Sequence, residues 1–96
     1  MTVSLSTHVL DTAAGKPAAG VSVELLRGTD AVASTATDGD GRARLAETLD
    51  PGTYRIVFHP PSPFFTRVEL EVVLEDGHYH VPLLISPFSC ASYRGS

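Results

Sequence analysis

Apolar side chains recur at every second position in this chain, in short runs that glycine and proline cut off. Val3, Leu5, Thr7 and Val9 share one parity and Ser4, Ser6 and His8 the other, which in extended backbone puts them on opposite faces. After the turn-rich DTAAGKPAAG the pattern resumes with Val21, Val23 and Leu25 against Ser22 and Glu24. A third run, AVASTAT, leads into Asp38-Gly39-Asp40-Gly41, where the glycines are expected to take positive φ and close a tight connection before Arg42. Beyond Pro51-Gly52, TYRIVFH sets Tyr54, Ile56 and Phe58 on one side until Pro60, Pro61 and Pro63 end it. RVELEVVLE then sets Val68, Leu70, Val72 and Leu74 against Arg67, Glu69 and Glu71. HYHVPLLIS sets Tyr79, Val81, Leu83 and Ile85 against His78, His80 and Pro82, and the core alternation is expected to run out at Ile85 and Phe88. No segment holds a helical stripe over ten residues. The expectation is an all-β antiparallel sandwich with little or no helix.

Size and charge narrow the function classes. Ninety-six residues suit one domain, 1–96, with a modest core that needs no cross-link. The net charge of −4, with seven Lys and Arg scattered along the chain, offers no footprint for phosphate backbones, so no nucleic-acid partner is expected. No apolar run is long enough to span a bilayer, and the opening MTVSLSTHVLD lacks the regions of a signal peptide; no membrane partner is expected, and the cytoplasm is the expected location. The one cysteine, Cys90, has no internal partner for a disulfide, which agrees with a reducing compartment.

The residues able to do chemistry lie on the polar parity. His8 and His80 both point away from the core, and an imidazole titrating near neutrality suits acid–base work. His-x-His over residues 78–80 has no Cys, Asp or Glu at ligand spacing beside it, so neither a metal nor any other cofactor is expected. Cys90 has no base at local spacing, and no serine stands in a GxSxG setting. His59 reads as a strand-end residue and His78 as an exposed neighbour of the site or a support to it. Arg42 and Arg44 share a face if their stretch is extended. The chain closes on YRGS, a polar cluster following directly from an apolar run, where an exposed tail is the ordinary alternative.

The segments LSTHVLDTAAGKPAAGVSVEL, TDGDGR, GTYRIVFH, HYHVPLLISPF and YRGS together resemble the 5-hydroxyisourate hydrolases, the transthyretin-related enzymes of urate degradation. The likeness runs nearly end to end. It implies a transthyretin-like, Greek-key-related sandwich assembled as a homotetramer, a dimer of dimers, with 5-hydroxyisourate as substrate. It also implies a catalytic set of His8, Arg42, His80 and Ser96, with Tyr93, Arg94, Gly95 and Ser96 joining His8 and Arg42 in substrate binding. The DGR match prefers Arg42 to Arg44. The alternative from the same resemblance is a non-catalytic carrier holding an aromatic or heterocyclic molecule in the tetramer channel. Two departures stand out. Cys90 occupies a position where the family usually has tyrosine, and the connection from FHP to FFTRVELEV lacks most of the family's short helix.

Overall fold

The computed structural model describes residues 2–95, and among them ten strands and no helix. The strands are β1 (Val3–Asp11), β2 (Lys16–Pro17), β3 (Ser22–Arg27), β4 (Asp30–Ala36) and β5 (Arg42–Leu49), then β6 (Gly52–His59), β7 (Val68–Leu74), β8 (Gly77–His80), β9 (Leu83–Ser86) and β10 (Ser89–Ser92). One sheet is antiparallel throughout, in the order β4-β3-β6-β7. The other is organised around β1. β5 and β2 pair with it antiparallel, β8 and β9 pair with it parallel in succession, and β10 lies antiparallel outside β9. A single apolar cluster joins the inner faces of the two sheets.

The period-two reading carries over to burial. Val3, Leu5, Thr7 and Val9 are all buried, as are Val21, Val23, Leu25, Tyr54, Ile56 and Phe58. On β7 only Leu74 is fully covered, because this strand is a sheet edge and its other inward residues reach the rim. Phe88 departs from expectation: it lies in the β9–β10 turn, 72% exposed, against the edge of the Phe64 ring. The connection between β6 and β7 is free of helix as expected. There Ser62 Oγ accepts from the Phe64 and Phe65 amides and donates to the Pro87 carbonyl, pinning this short loop to the β9–β10 turn.

Proline in an inner strand normally leaves a gap in the ladder. Here Val81-Pro82 forms the break between β8 and β9, and hydroxyls fill it. Thr7 Oγ1 donates to the Val81 carbonyl at 2.6 Å, Ser92 Oγ donates to the Pro82 carbonyl at 2.8 Å, and the Val81 amide reaches the Ser6 carbonyl at 2.9 Å. These bonds explain why a threonine holds a core position on β1. They also fix β8 beside the outer residues of that strand.

The DGDGR turn is equally determined. Asp38 Oδ1 accepts from the amides of Asp40 and Arg42, and the Gly41 amide donates to the Asp38 carbonyl. Only the second glycine, Gly41, has positive φ, at 75°. A β-carbon on Gly41 would also stand 2.5 Å from the Val9 carbonyl oxygen and 2.9 Å from Pro17 Cβ. Gly39 meets neither constraint, so its positive φ is not realised. Replacing Gly41 by alanine combines a left-handed backbone penalty of about 1–2 kcal/mol with a backbone clash, so urea unfolding is expected to show a loss above about 2 kcal/mol. A change within about 0.5 kcal/mol, the range of an ordinary surface substitution, would contradict this account.

Candidate active site

The registers around β1 bring the sequence candidates onto one outer face. His8 pairs with Arg42 of β5, Ser6 with Arg44, and on the other side Ser4 pairs with His78 and Ser6 with His80. Alternation points all seven side chains away from the core. A hollow of about 260 Å³ on this face is lined by Ser6, Asp38, Arg42 and Arg44. The larger cavity, about 440 Å³, opens at the edge between β7 and Ser92–Arg94; it is largely apolar and includes no imidazole. The histidine face is therefore the stronger candidate for acid–base chemistry.

Each histidine is held by specific bonds. His8 Nε2 lies 2.8 Å from the Asp40 carbonyl. A carbonyl only accepts, so the bond assigns the proton to Nε2 and leaves Nδ1 as the basic nitrogen. His80 Nδ1 lies 2.9 Å from Ser6 Oγ. The same hydroxyl is 3.1 Å from His78 Nε2, and His78 Nδ1 is 2.7 Å from Ser4 Oγ. Partial burial, then the positive charges of Arg42, His8 and His78, hold His80 below the ordinary histidine value. His80 is therefore largely neutral at pH 7.

The chain returns to this face at Gly95. The β9–β10 hairpin reverses the chain, and Gly95 forms an antiparallel bridge with His80, its amide donating to the His80 carbonyl at 2.6 Å. A β-carbon at position 95 would stand 2.7 Å from His80 Cδ2, so only glycine lets the backbone lie this close to the ring. Arg94 turns elsewhere, its guanidinium 4.0 Å from the centroid of the Tyr79 ring. Tyr93 is exposed and lines the larger cavity beside β7. The structure thus brings His8, Arg42, His80 and Gly95 to one sheet face, and it sets the side chains of Tyr93 and Arg94 at the neighbouring edge. Ser96 lies outside the described residues.

The remaining candidates separate cleanly. Arg44 shares the face with Arg42, as extended backbone requires, and engages Glu47 at 3.3 Å. His59 ends β6 and contacts Glu24 at 3.2 Å. Cys90 packs half-buried against the core, and burial pushes its thiol up, which suits a small apolar role. Among the described residues no group of three or more His, Cys, Asp or Glu side chains is arranged to hold a metal ion. Sequence reasoning missed Ser6 and the Asp40 carbonyl, the two groups that orient His80 and His8. Parity placed Ser6 on the right face, but only the parallel β1–β8 register shows that it stands beside His80.

Residues 5–95 match the HIUase/Transthyretin family. The chain belongs to that family. A 5-hydroxyisourate hydrolase of Deinococcus radiodurans is 45% identical, the alignment covering 96% of this chain and 95% of the relative. That alignment spans 113 positions, 17 more than the 96 residues here, so the relative carries segments this member lacks. Among solved structures, Klebsiella pneumoniae 5-hydroxyisourate hydrolase superposes with a TM-score of 0.90 at 36% identity, over 97% of this chain and 99% of that one. Sea bream transthyretin in complex with thyroxine superposes with a TM-score of 0.85 at 26% identity, over 95% and 93% of the two chains. The sandwich is therefore transthyretin-like, as the sequence motifs implied.

Both arginines offer a prediction on this face. The neutral His80 feels Arg42 and not Arg44, and a guanidinium presents a planar pair of donors that an ammonium cannot reproduce. Arg42→Lys is expected to lower the rate of any chemistry on this face by about 10-fold or more, in the range of a lost oxyanion contact. Arg44→Ala is expected to stay within about threefold, since it removes an exposed ion pair of little worth. Steady-state rates of the two variants check this, and the reverse order would exchange their roles.

Proposed function

We propose that this chain hydrolyses 5-hydroxyisourate to 2-oxo-4-hydroxy-4-carboxy-5-ureidoimidazoline, in the cytoplasm, as a step of urate degradation. The observation that carries the proposal is the meeting of His8, Arg42 and His80 on one face, with Gly95 of the terminal motif seated against the His80 ring. The names of the hydrolase relatives supply the substrate.

The chemistry follows from the residue types. Water is a poor nucleophile at neutral pH, and a neutral His80 accepts its proton at Nε2 as the oxygen attacks C6 of the cyclic N1–C6 amide. Arg42 stabilises the negative charge that develops on the attacked carbonyl oxygen. The imidazolium then returns its proton to N1 as the C6–N1 bond breaks, so one water is added across the amide and no charge accumulates. His8, fixed by the Asp40 carbonyl, keeps a basic Nδ1 for binding or polarising the heterocycle. In this reading Tyr93, Arg94, Gly95 and Ser96 take part in substrate binding, and Ser96 serves the reacting water.

The working unit in this proposal is a homotetramer, a dimer of dimers. The edge strand β7, the exposed Val73 and Tyr93, and the apolar cavity between them favour burial against a second copy. The test generates 5-hydroxyisourate in situ from urate and follows its decay with and without the protein, alongside light scattering. Accelerated decay by a tetramer supports the proposal. Stoichiometric binding without turnover would support the carrier alternative, and full activity from a stable monomer would refute the shared assembly.

A further inference from the structure

Four side chains on the outer face are linked in series: His80 Nδ1 to Ser6 Oγ at 2.9 Å, Ser6 Oγ to His78 Nε2 at 3.1 Å, and His78 Nδ1 to Ser4 Oγ at 2.7 Å. The β1–β8 register builds this series, since Ser4 faces His78 and Ser6 faces His80 across a parallel pair. A hydroxyl has one proton to donate, and a neutral imidazole has one donor and one acceptor nitrogen. With every link satisfied, the protons run along the series one way or the other, or Ser6 accepts from both imidazoles while Ser4 donates to His78 Nδ1, a third pattern in which His80 again keeps its proton on Nδ1. In the first, His80 Nδ1–H donates to Ser6, Ser6 donates to His78 Nε2, and His78 Nδ1–H donates to Ser4. In the second, all three bonds reverse and the proton of His80 moves to Nε2.

We propose that Ser6 and His78 are positioning residues that set the tautomer of His80, and that this series carries charge from His80 to His78 during turnover. The first direction leaves the lone pair of His80 on Nε2, as a base requires. When Nε2 takes a proton from water, Nδ1 can pass its own proton to Ser6 Oγ while Ser6 passes its hydroxyl proton to His78 Nε2. The result is a neutral His80 carrying its proton on Nε2 and a cationic His78. One proton has entered, one positive charge has formed, and no heavy-atom bond has changed. His78 is exposed, so water solvates that charge better than it would at the half-buried His80 beside Arg42. Reversal of the same transfers restores the starting state when the proton leaves for the amide nitrogen.

The kinetic part of this inference rests on the hydrolase reading, whereas its tautomer part is independent of substrate. Long-range ¹H–¹⁵N NMR of the full chain at pH 8 reads each tautomer directly. His80 is expected as Nδ1–H in the wild type. His78→Ala, an exposed substitution not in hydrogen-bond contact with His80, frees the Ser6 hydroxyl to turn toward Nδ1 and is expected to move His80 toward Nε2–H. Ser6→Ala is expected to do the same, and Ser6→Thr to preserve Nδ1–H. In the 5-hydroxyisourate assay, Ser6→Ala is expected to lower kcat by about 10-fold or more with KM changed less than about twofold, and Ser6→Thr to recover most of the loss. Nε2–H in wild-type His80, or an unchanged tautomer in His78→Ala, would overturn the inference. Equal losses in Ser6→Ala and Ser6→Thr would overturn its kinetic part. The expected tautomer pattern in a protein without turnover would uphold the relay's geometry and refute the hydrolase reading instead.

Discussion

Removal of residues 93–96 is expected to abolish hydrolysis while leaving the sandwich folded. The buried core is complete without them, since its last inward strand residue is Ile85 and β10 ends at Ser92. What the deletion removes is the Gly95 bridge, whose amide bonds the His80 carbonyl and whose missing side chain admits the His80 ring. It also removes the Arg94 guanidinium from the Tyr79 ring, worth about 0.5–1 kcal/mol at an exposed site. Stability should therefore fall only slightly in urea. Activity should fall much further, because displacement of a catalytic group by ~1 Å can cost on the order of 10²-fold. A truncated protein with wild-type turnover would show that this segment is dispensable. Gly95→Ala isolates the same effect within the full chain, because the atoms nearest the added methyl are all those of His80.

His80→Ala carries the second large effect. Loss of a general base typically costs ~10²–10⁴-fold, and His80 is the histidine whose Nδ1 is engaged by Ser6 while its charge state is held neutral by burial and by Arg42. The substitution removes no core contact, since His80 is on the outer face of β8, so the unfolding midpoint should hardly move. His8→Ala is expected to be less severe if His80 is the base, because His8 then orients the substrate and does not move the proton. Turnover by His80→Ala within about threefold of wild type would transfer the role of base to His8.

The sequence made the sandwich readable because each strand alternates with strict parity, and burial on one face leaves little freedom of register. Parity also placed His8 and His80 away from the core. It could not say which strands are neighbours. The parallel pairing of β1 with β8 and β9, and with it the Ser6–His80 and Ser4–His78 contacts, depends on partners more than 70 residues apart in the chain. Phe88 was misread for a related reason: it comes after HYHVPLLIS in the chain, but on the opposite parity to Ile85, and the β9–β10 turn ends the strand before it. Gly41 was legible as a turn residue, whereas Gly95 was legible only as part of a motif. Its reason, the closeness of the His80 ring, is a contact between segments that no local pattern records.

The pH dependence of kcat/KM for 5-hydroxyisourate, corrected for spontaneous decay, tests the central claim most directly. A base works when deprotonated, so activity should be full above the pKa of His80 and lost as pH falls through it. Burial, Arg42, His8 and His78 all hold that pKa below the ordinary 6.5, which places the acid limb below 6.5 as well. In Arg42→Lys the positive charge remains and the limb should stay low, while the plateau drops. The account predicts a plateau through pH 7 and an acid limb below 6.5 that disappears in His80→Ala. No acceleration over spontaneous decay at any pH, or an acid limb above 6.5 that persists in His80→Ala, would contradict it.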